Sequence, residues 1–473
     1  MASEDLTVRN GDYSVYIPSL QINSAENVRK PASAWIPQPL PLNLEPRDFN
    51  YLRGGNRYWA YKYALASAET FRGKNNNAVT AVDPGEQTEP FILGDSGGFQ
   101  IGKGTFGEAK NWQGMSRAEV MQAWQQSDLR EDIIRWCERY CTYAMTIDIP
   151  LWVNRQGEKK SPFRVCDTQD LIAMTVDNLR YLQQVRGKWT GGEHICKYLN
   201  VLQGDKGADE QLWFDAVRGF KFDGWSFAGG VGVDGGPYRI MRRLLRLADK
   251  NLLDDGYDWL HLLMLGKPSW APLVTAIQRG IRKNINPKFT ISYDSSTAYK
   301  MGGKFEKYYW AQPLTDDPKS WTLKNGKFKT TYAFAAHDTP IPLASSYCIG
   351  DGCQLCANEE PHLLAPLLSP IAKRLTAQDL VYNTANFARR RVGKLFEETV
   401  TNHNVYVIVD AMIKANDAVF AATPPNAPKQ LLEACDFLEG FFASGRGKQA
   451  YLDKNRKLIE GAVAYRRKKV IVD

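Results

Sequence analysis

Short apolar runs, each breaking off at a polar residue or a glycine, punctuate the middle of the chain. The clearest span residues 91–93, 143–148, 198–203, 225–229, 259–266 and 289–294. Between them lie patterns with helical spacing at 117–126, 170–186, 238–249 and 271–283. Strands that alternate with amphipathic helices predict βαβ units and a parallel sheet. Six or more such units over this length of chain predict an α/β fold, a (β/α)8 TIM barrel, rather than an open sheet. In such a barrel the ends of the strands converge on one mouth. Here those ends carry Asp95, Asp148, Gln203, the pair Gly229-Gly230, and Asp294.

The pattern also divides the chain. Residues 1–50, rich in proline and polar groups around 31–46, read as an irregular N-terminal arm. Residues 51–345 read as the catalytic barrel. Residues 346–420 read as a metal-binding subdomain followed by the last barrel helix, and 421–473 as a helical basic tail set off by the proline-rich break at 423–428. No internal repeat is evident.

Composition changes this picture only at its edges. Apolar residues at 44% and charged residues at 24% are ordinary for a globular protein. The apolar runs are far too short to span a bilayer, and no basic, apolar leader follows Met1, so no membrane association and a cytoplasmic location are expected. The net charge of +8 is unevenly placed: from Lys373 onward seventeen Lys/Arg face eleven Asp/Glu. The densest runs are Arg389-Arg390-Arg391 and Arg466-Arg467-Lys468-Lys469. Solvated helix faces explain such runs, and so does contact with a phosphate backbone.

Three candidate constellations carry chemistry. Gly94-Asp95-Ser96-Gly97-Gly98-Phe99-Gln100 follows an apolar strand, so a carboxylate is followed by two residues that put no Cβ in the way of a planar ligand. An ordinary strand-to-turn junction is the alternative. Asp294 ends a second strand, and two carboxylates at one mouth suit displacement at an anomeric carbon, one as nucleophile and one as acid/base. Asp148 and Gln203 offer an acceptor pair and a two-faced amide, which match the hydrogen-bonding edge of a guanine-like base, with the Gly229-Gly230 backbone adding donors. Finally, Cys348, Cys353 and Cys356 with one histidine, His403 or His362, form a candidate closed Cys3His zinc site of structural type. Cys137 and Cys141 read as core residues.

These residues, in this order, resemble the tRNA-guanine transglycosylase superfamily. GDSGGFQ is similar to its signature, and the strand ends at Asp148, Gln203, Gly230 and Pro268 are similar to its successive barrel-strand ends. The segment 289–296 resembles the strand that bears its nucleophilic aspartate. The likeness covers roughly residues 85–415. It implies that Asp294 attacks the sugar C1′ and expels guanine, that Asp95 moves the proton, and that Ser96, Asp148, Gln203, Gly229 and Gly230 hold the base. Phe99 would stack on its ring. It also implies a structural zinc on Cys348, Cys353, Cys356 and His403, although Asp351 stands where the family has its first cysteine. Downstream of Asp294 the chain reads SSTAYKMGG. The tRNA enzymes carry a different, RNA-binding stretch there. That departure resembles the DNA-guanine transglycosylase (DpdA) branch, which exchanges guanine in DNA for a 7-deazaguanine such as preQ0, some members with an accessory ATPase. A queuosine- or archaeosine-type tRNA enzyme and a non-catalytic nucleic-acid-binding paralogue remain the alternatives.

Overall fold

A computed structural model describes residues 3–20, 27–28, 40, 44–52, 54–68, 90–155, 160–190, 196–204, 207–228, 236–305, 307–327, 342–344, 366–376, 379, 394–443 and 448–463. Eight parallel strands form a nearly closed barrel: β1 (Val15–Pro18), β2 (Tyr63–Ser67), β3 (Phe91–Asp95), β4 (Tyr143–Met145), β5 (Lys197–Leu202), β6 (Gly224–Phe227), β7 (Trp259–Leu262) and β8 (Thr290–Ser295). From β2 onward each strand pairs with the next in the chain, and β8 pairs with β1. The remaining seam is drawn together where Ser19 bridges Leu65 and the Leu20 N–H donates to the Leu65 carbonyl at 2.7 Å.

The expected α/β barrel is therefore present, but it begins earlier than expected. Val15–Pro18 is its first strand and lies inside the stretch read as an N-terminal arm. This strand is four residues long, and what the described residues carry between it and β2 is a single 3-10 turn at Pro46–Phe49 and a two-residue strand at Trp59–Ala60, so it lacks the long amphipathic helix that follows most of the others.

Helices flank the barrel: α1 (Gly98–Gly102), α2 (Arg117–Gln126), α3 (Leu129–Tyr140), α4 (Thr168–Val185), α5 (Gly207–Val217), α6 (Gly236–Ala248), α7 (Trp270–Asn284) and α8 (Lys394–Phe420). Local chemistry sets their starts. Ser116 and Glu119 form a capping box at α2, and Asp167 with Asp170 does the same at α4, each pair satisfying backbone N–H groups that a helix leaves open. Three further helices, α9 (Lys429–Gly440), α10 (Lys448–Lys454) and α11 (Arg456–Gly461), follow. Helix α9 lies so close to α7 that a Cβ on Gly280 would sit 2.8 Å from the Glu439 carbonyl. The C-terminal segment is thus helical, as expected, and packed onto the barrel rather than trailing from it. A two-stranded hairpin, β9 (Lys307–Trp310) and β10 (Lys324–Lys327), precedes it.

The two ends of the barrel differ. At the strand starts, Phe91 stacks on Trp259 with centroids 4.6 Å apart, and Tyr143 and Tyr63 complete an aromatic plug. Above it Val15, Ile17, Leu65, Leu93, Met145, Leu199 and Val201 fill the axis. The polar strand ends lie at the other mouth. No helix among the described residues is long and apolar enough to cross a membrane.

Candidate active site

Asp95 ends β3 and is partly exposed at the mouth. Its Oδ1 accepts the Gly97 N–H at 3.1 Å, a short turn that Gly97 makes with φ of +78°. That conformation favours glycine. Burial pushes the Asp95 carboxyl up; the Gly97 N–H works against the shift, and the nearby Asp294 charge adds to it. A carboxyl so placed keeps a proton more readily than one in water.

Asp294, on β8, stands at the same mouth with β1 and β2 between it and β3, and is buried. Its Oδ1 accepts the Met264 N–H at 2.8 Å. Met264 adopts a φ of +66°, uncommon for a residue with a Cβ, and its side chain is 60% exposed.

Asp148 follows β4 and is buried against Gly98: a Cβ there would meet the Asp148 Oδ1 at 2.9 Å. The second glycine of GDSGGFQ is therefore needed for close approach by a carboxylate of the protein itself. Gln203 Nε2 donates to Asp148 Oδ2, while its Oε1 accepts the Leu151 N–H at 3.0 Å. Burial, joined by the Asp95 charge, pushes the Asp148 carboxyl up to about 7, with the Gln203 amide pulling the other way. Ser96 is buried beside Asp95. Phe99 is 55% exposed, its ring 5.2 Å from that of Trp152 and 4.5 Å from the Lys103 ammonium.

The barrel thus brings together Asp95, Ser96, Phe99, Asp148, Gln203 and Asp294. Gly229, Gly230, Cys348, Cys353, Cys356 and His362 lie outside the described residues. Of the metal set only His403 is described. It is buried near the start of α8; its Nε2–H donates to the Tyr309 carbonyl at 2.8 Å, and its Nδ1 faces the Ser369 N–H at 3.4 Å. A carbonyl only accepts, so the lone pair sits on Nδ1, and burial holds the ring neutral with its pKa near 4. Both ring nitrogens are thus engaged within the protein, and Nδ1 would have to exchange the Ser369 N–H for a metal to serve as a zinc ligand. No group of three or more His, Cys, Asp or Glu poised for a metal occurs among the described residues. Cys137 and Cys141 are buried in the core, as expected.

One participant had not been anticipated. His261, fully buried on β7, lies with its Nε2 3.5 Å from Asp294 Oδ1. Its only mark in the sequence is a histidine in the apolar run 259–266, and nothing in that run identifies the neighbouring strand.

Fold and site together define an α/β barrel with a carboxylate-lined mouth at the ends of its strands. Beyond that class, no known protein-family model matches the chain, and no curated protein matches it.

Proposed function

We propose that the protein is a DNA-guanine transglycosylase, a pentosyltransferase that exchanges guanine in DNA for a 7-deazaguanine of the preQ0 type. The observation that carries the reading is one mouth holding two separate carboxylates, Asp95 and Asp294, beside a third paired with an amide, Asp148 with Gln203. In this scheme Asp294 attacks C1′ as the bond from C1′ to the base N9 breaks, and that bond's electrons leave with the base. Asp95, whose carboxyl burial helps keep protonated, gives the departing guanine its proton. The incoming base surrenders its N9 proton to Asp95 and displaces Asp294, so both side chains return to their starting states. Asp148 and Gln203 would hold the donor edge of the base, with Phe99 against its ring. A duplex base would reach them only after extrusion from the stack.

DNA rather than tRNA is inferred from the segment after Asp294, SSTAYKMGG, together with the resemblance set out above. Labelled preQ0 offered with duplex DNA or with tRNA tests the assignment. Label is expected in DNA and not in the Asp294→Ala reaction; label in tRNA alone would overturn the choice of polymer.

A structural zinc held by Cys348, Cys353, Cys356 and His403 belongs to the same reading. It would tie the segment that carries the cysteines to α8. About one zinc per chain by metal analysis is expected, lost in Cys353→Ser or Cys356→Ser; a metal-free folded protein would remove the site.

A further inference from the structure

Beneath Asp294 the barrel axis carries a polar column with no part in the scheme so far. His261 is flanked in register by Ser226 on β6 and Ser292 on β8, within an interior that is otherwise aliphatic and aromatic. Its Nδ1 lies 2.9 Å from Ser292 Oγ, and the same oxygen takes the Trp259 Nε1–H at 2.7 Å. Its Nε2 makes no hydrogen bond among the described residues; a charged atom it faces is Asp294 Oδ1, at 3.5 Å.

Donor chemistry orders this column. An indole N–H can only donate, so Trp259 occupies a lone pair of Ser292. The single Ser292 proton then has two acceptors within reach, His261 Nδ1 at 2.9 Å and the Leu260 carbonyl at 3.5 Å. Taking the shorter bond leaves Nδ1 as the acceptor. The ring proton is then on Nε2, aimed at Asp294. An unpaired N–H in such a place is costly, which gives the ring a reason to meet that carboxylate.

We propose that His261 is a positioning residue for Asp294. Its Nε2–H approaches Oδ1 from within the barrel while the Met264 N–H holds the same oxygen at 2.8 Å. Oδ2 is then the oxygen presented to the sugar. When Oδ2 bonds to C1′, Oδ1 becomes the ester carbonyl oxygen. When the incoming base displaces the aspartate, negative charge returns to a carboxylate already facing two donors. The inference deepens the base-exchange reading and rests on it. It predicts a defect in kcat rather than KM, because His261 lies under the nucleophile and away from Asp148 and Gln203.

The test compares His261→Leu, which removes the donor, with His261→Gln, which keeps an N–H at similar reach. Steady-state exchange with guanine as the incoming base should show kcat lower by roughly 100-fold in the leucine variant, the scale of a misplaced reacting group. KM for the base should stay within about threefold, and glutamine should restore most of the rate. Equal losses in kcat and KM with no rescue by glutamine would overturn the proposal. A second measurement needs neither activity nor a folded variant at position 261. Nitrogen-15 spectra of the five histidines should show His261 carrying a proton on Nε2, with its Nε2 resonance displaced in Asp294→Asn. A ring with no proton on Nε2, or no displacement, would overturn it. Wild-type protein that exchanges no base would instead defeat the underlying reading, and the spectra would still decide on His261.

Discussion

Asp148 shows how one residue can be placed for binding at a cost in stability. Its carboxyl is buried, sits near Asp95, and titrates near 7 in the folded protein, well above an aspartate in water. Between those two values the folded state holds a proton that the unfolded state has released, so stability is greatest below the unfolded pKa and falls as pH rises through about 7. Asp148→Asn removes the titration. Its stability should rise relative to wild type between pH 5 and pH 8, by on the order of 1.4 kcal/mol for each pH unit crossed below about 7. An unchanged difference across that range, measured by thermal melts, would contradict the placement. Binding runs the opposite way: the base edge needs the ionised carboxylate, so affinity for guanine should improve from pH 6 to pH 8. Asp95, Asp148, Gln203 and Asp294 were legible in the sequence because each ends an apolar run. His261 was not, because its role depends on β8, thirty residues away in the chain and adjacent only in the barrel.

At the scale of elements, the exits of β5 and β6 are held from behind by α6. Arg243 is 2% exposed and donates to the carbonyls of Gly204 at 2.9 Å and Ala228 at 2.8 Å, so one guanidinium spans both strand exits. Arg239 also donates to Gly204, and Glu210 of α5 faces Arg243 at 3.3 Å. Gly204 itself has a φ of +109°, and a Cβ there would collide with the Glu210 backbone. Gln203 is the preceding residue, so its placement depends on this buried cluster. Arg243→Met should lower stability by about 3 kcal/mol in urea unfolding, the scale for breaking a buried charged network. It should also weaken binding of the base more than Arg242→Met does. Equal effects of the two substitutions would contradict the role. The cluster was hard to anticipate, since the partners of the α6 arginines, two backbone carbonyls and Glu210, come from elements that meet them only once the helix is docked. Four helices and six strands were legible from period alone. The first two strands were missed because β1 is brief and β2 follows a polar, irregular stretch rather than a helix.

For the whole molecule, the asymmetry of the barrel limits how a substrate can enter. Aromatic rings plug the strand starts, and the carboxylates, the exposed Phe99 ring and the Lys103 ammonium gather at the other mouth. A polymer would therefore lie across that mouth and send one base inward. The excess positive charge of the chain suits a phosphate backbone, although its densest runs, Arg389–Arg391 and 466–469, fall outside the described residues. Of the C-terminal helices α9 braces α7 while α10 and α11 pack on α6, so the region read as a tail contributes to the shell of the barrel. The central claim is that Asp294 forms a bond to the sugar. Intact-protein mass spectrometry after incubation with guanine-containing duplex DNA, with no incoming base, tests it most directly. The account predicts a protein–DNA adduct mapped to the peptide bearing Asp294, absent in Asp294→Ala and discharged by added preQ0. An adduct on another residue, or base exchange that persists in Asp294→Ala, would contradict it.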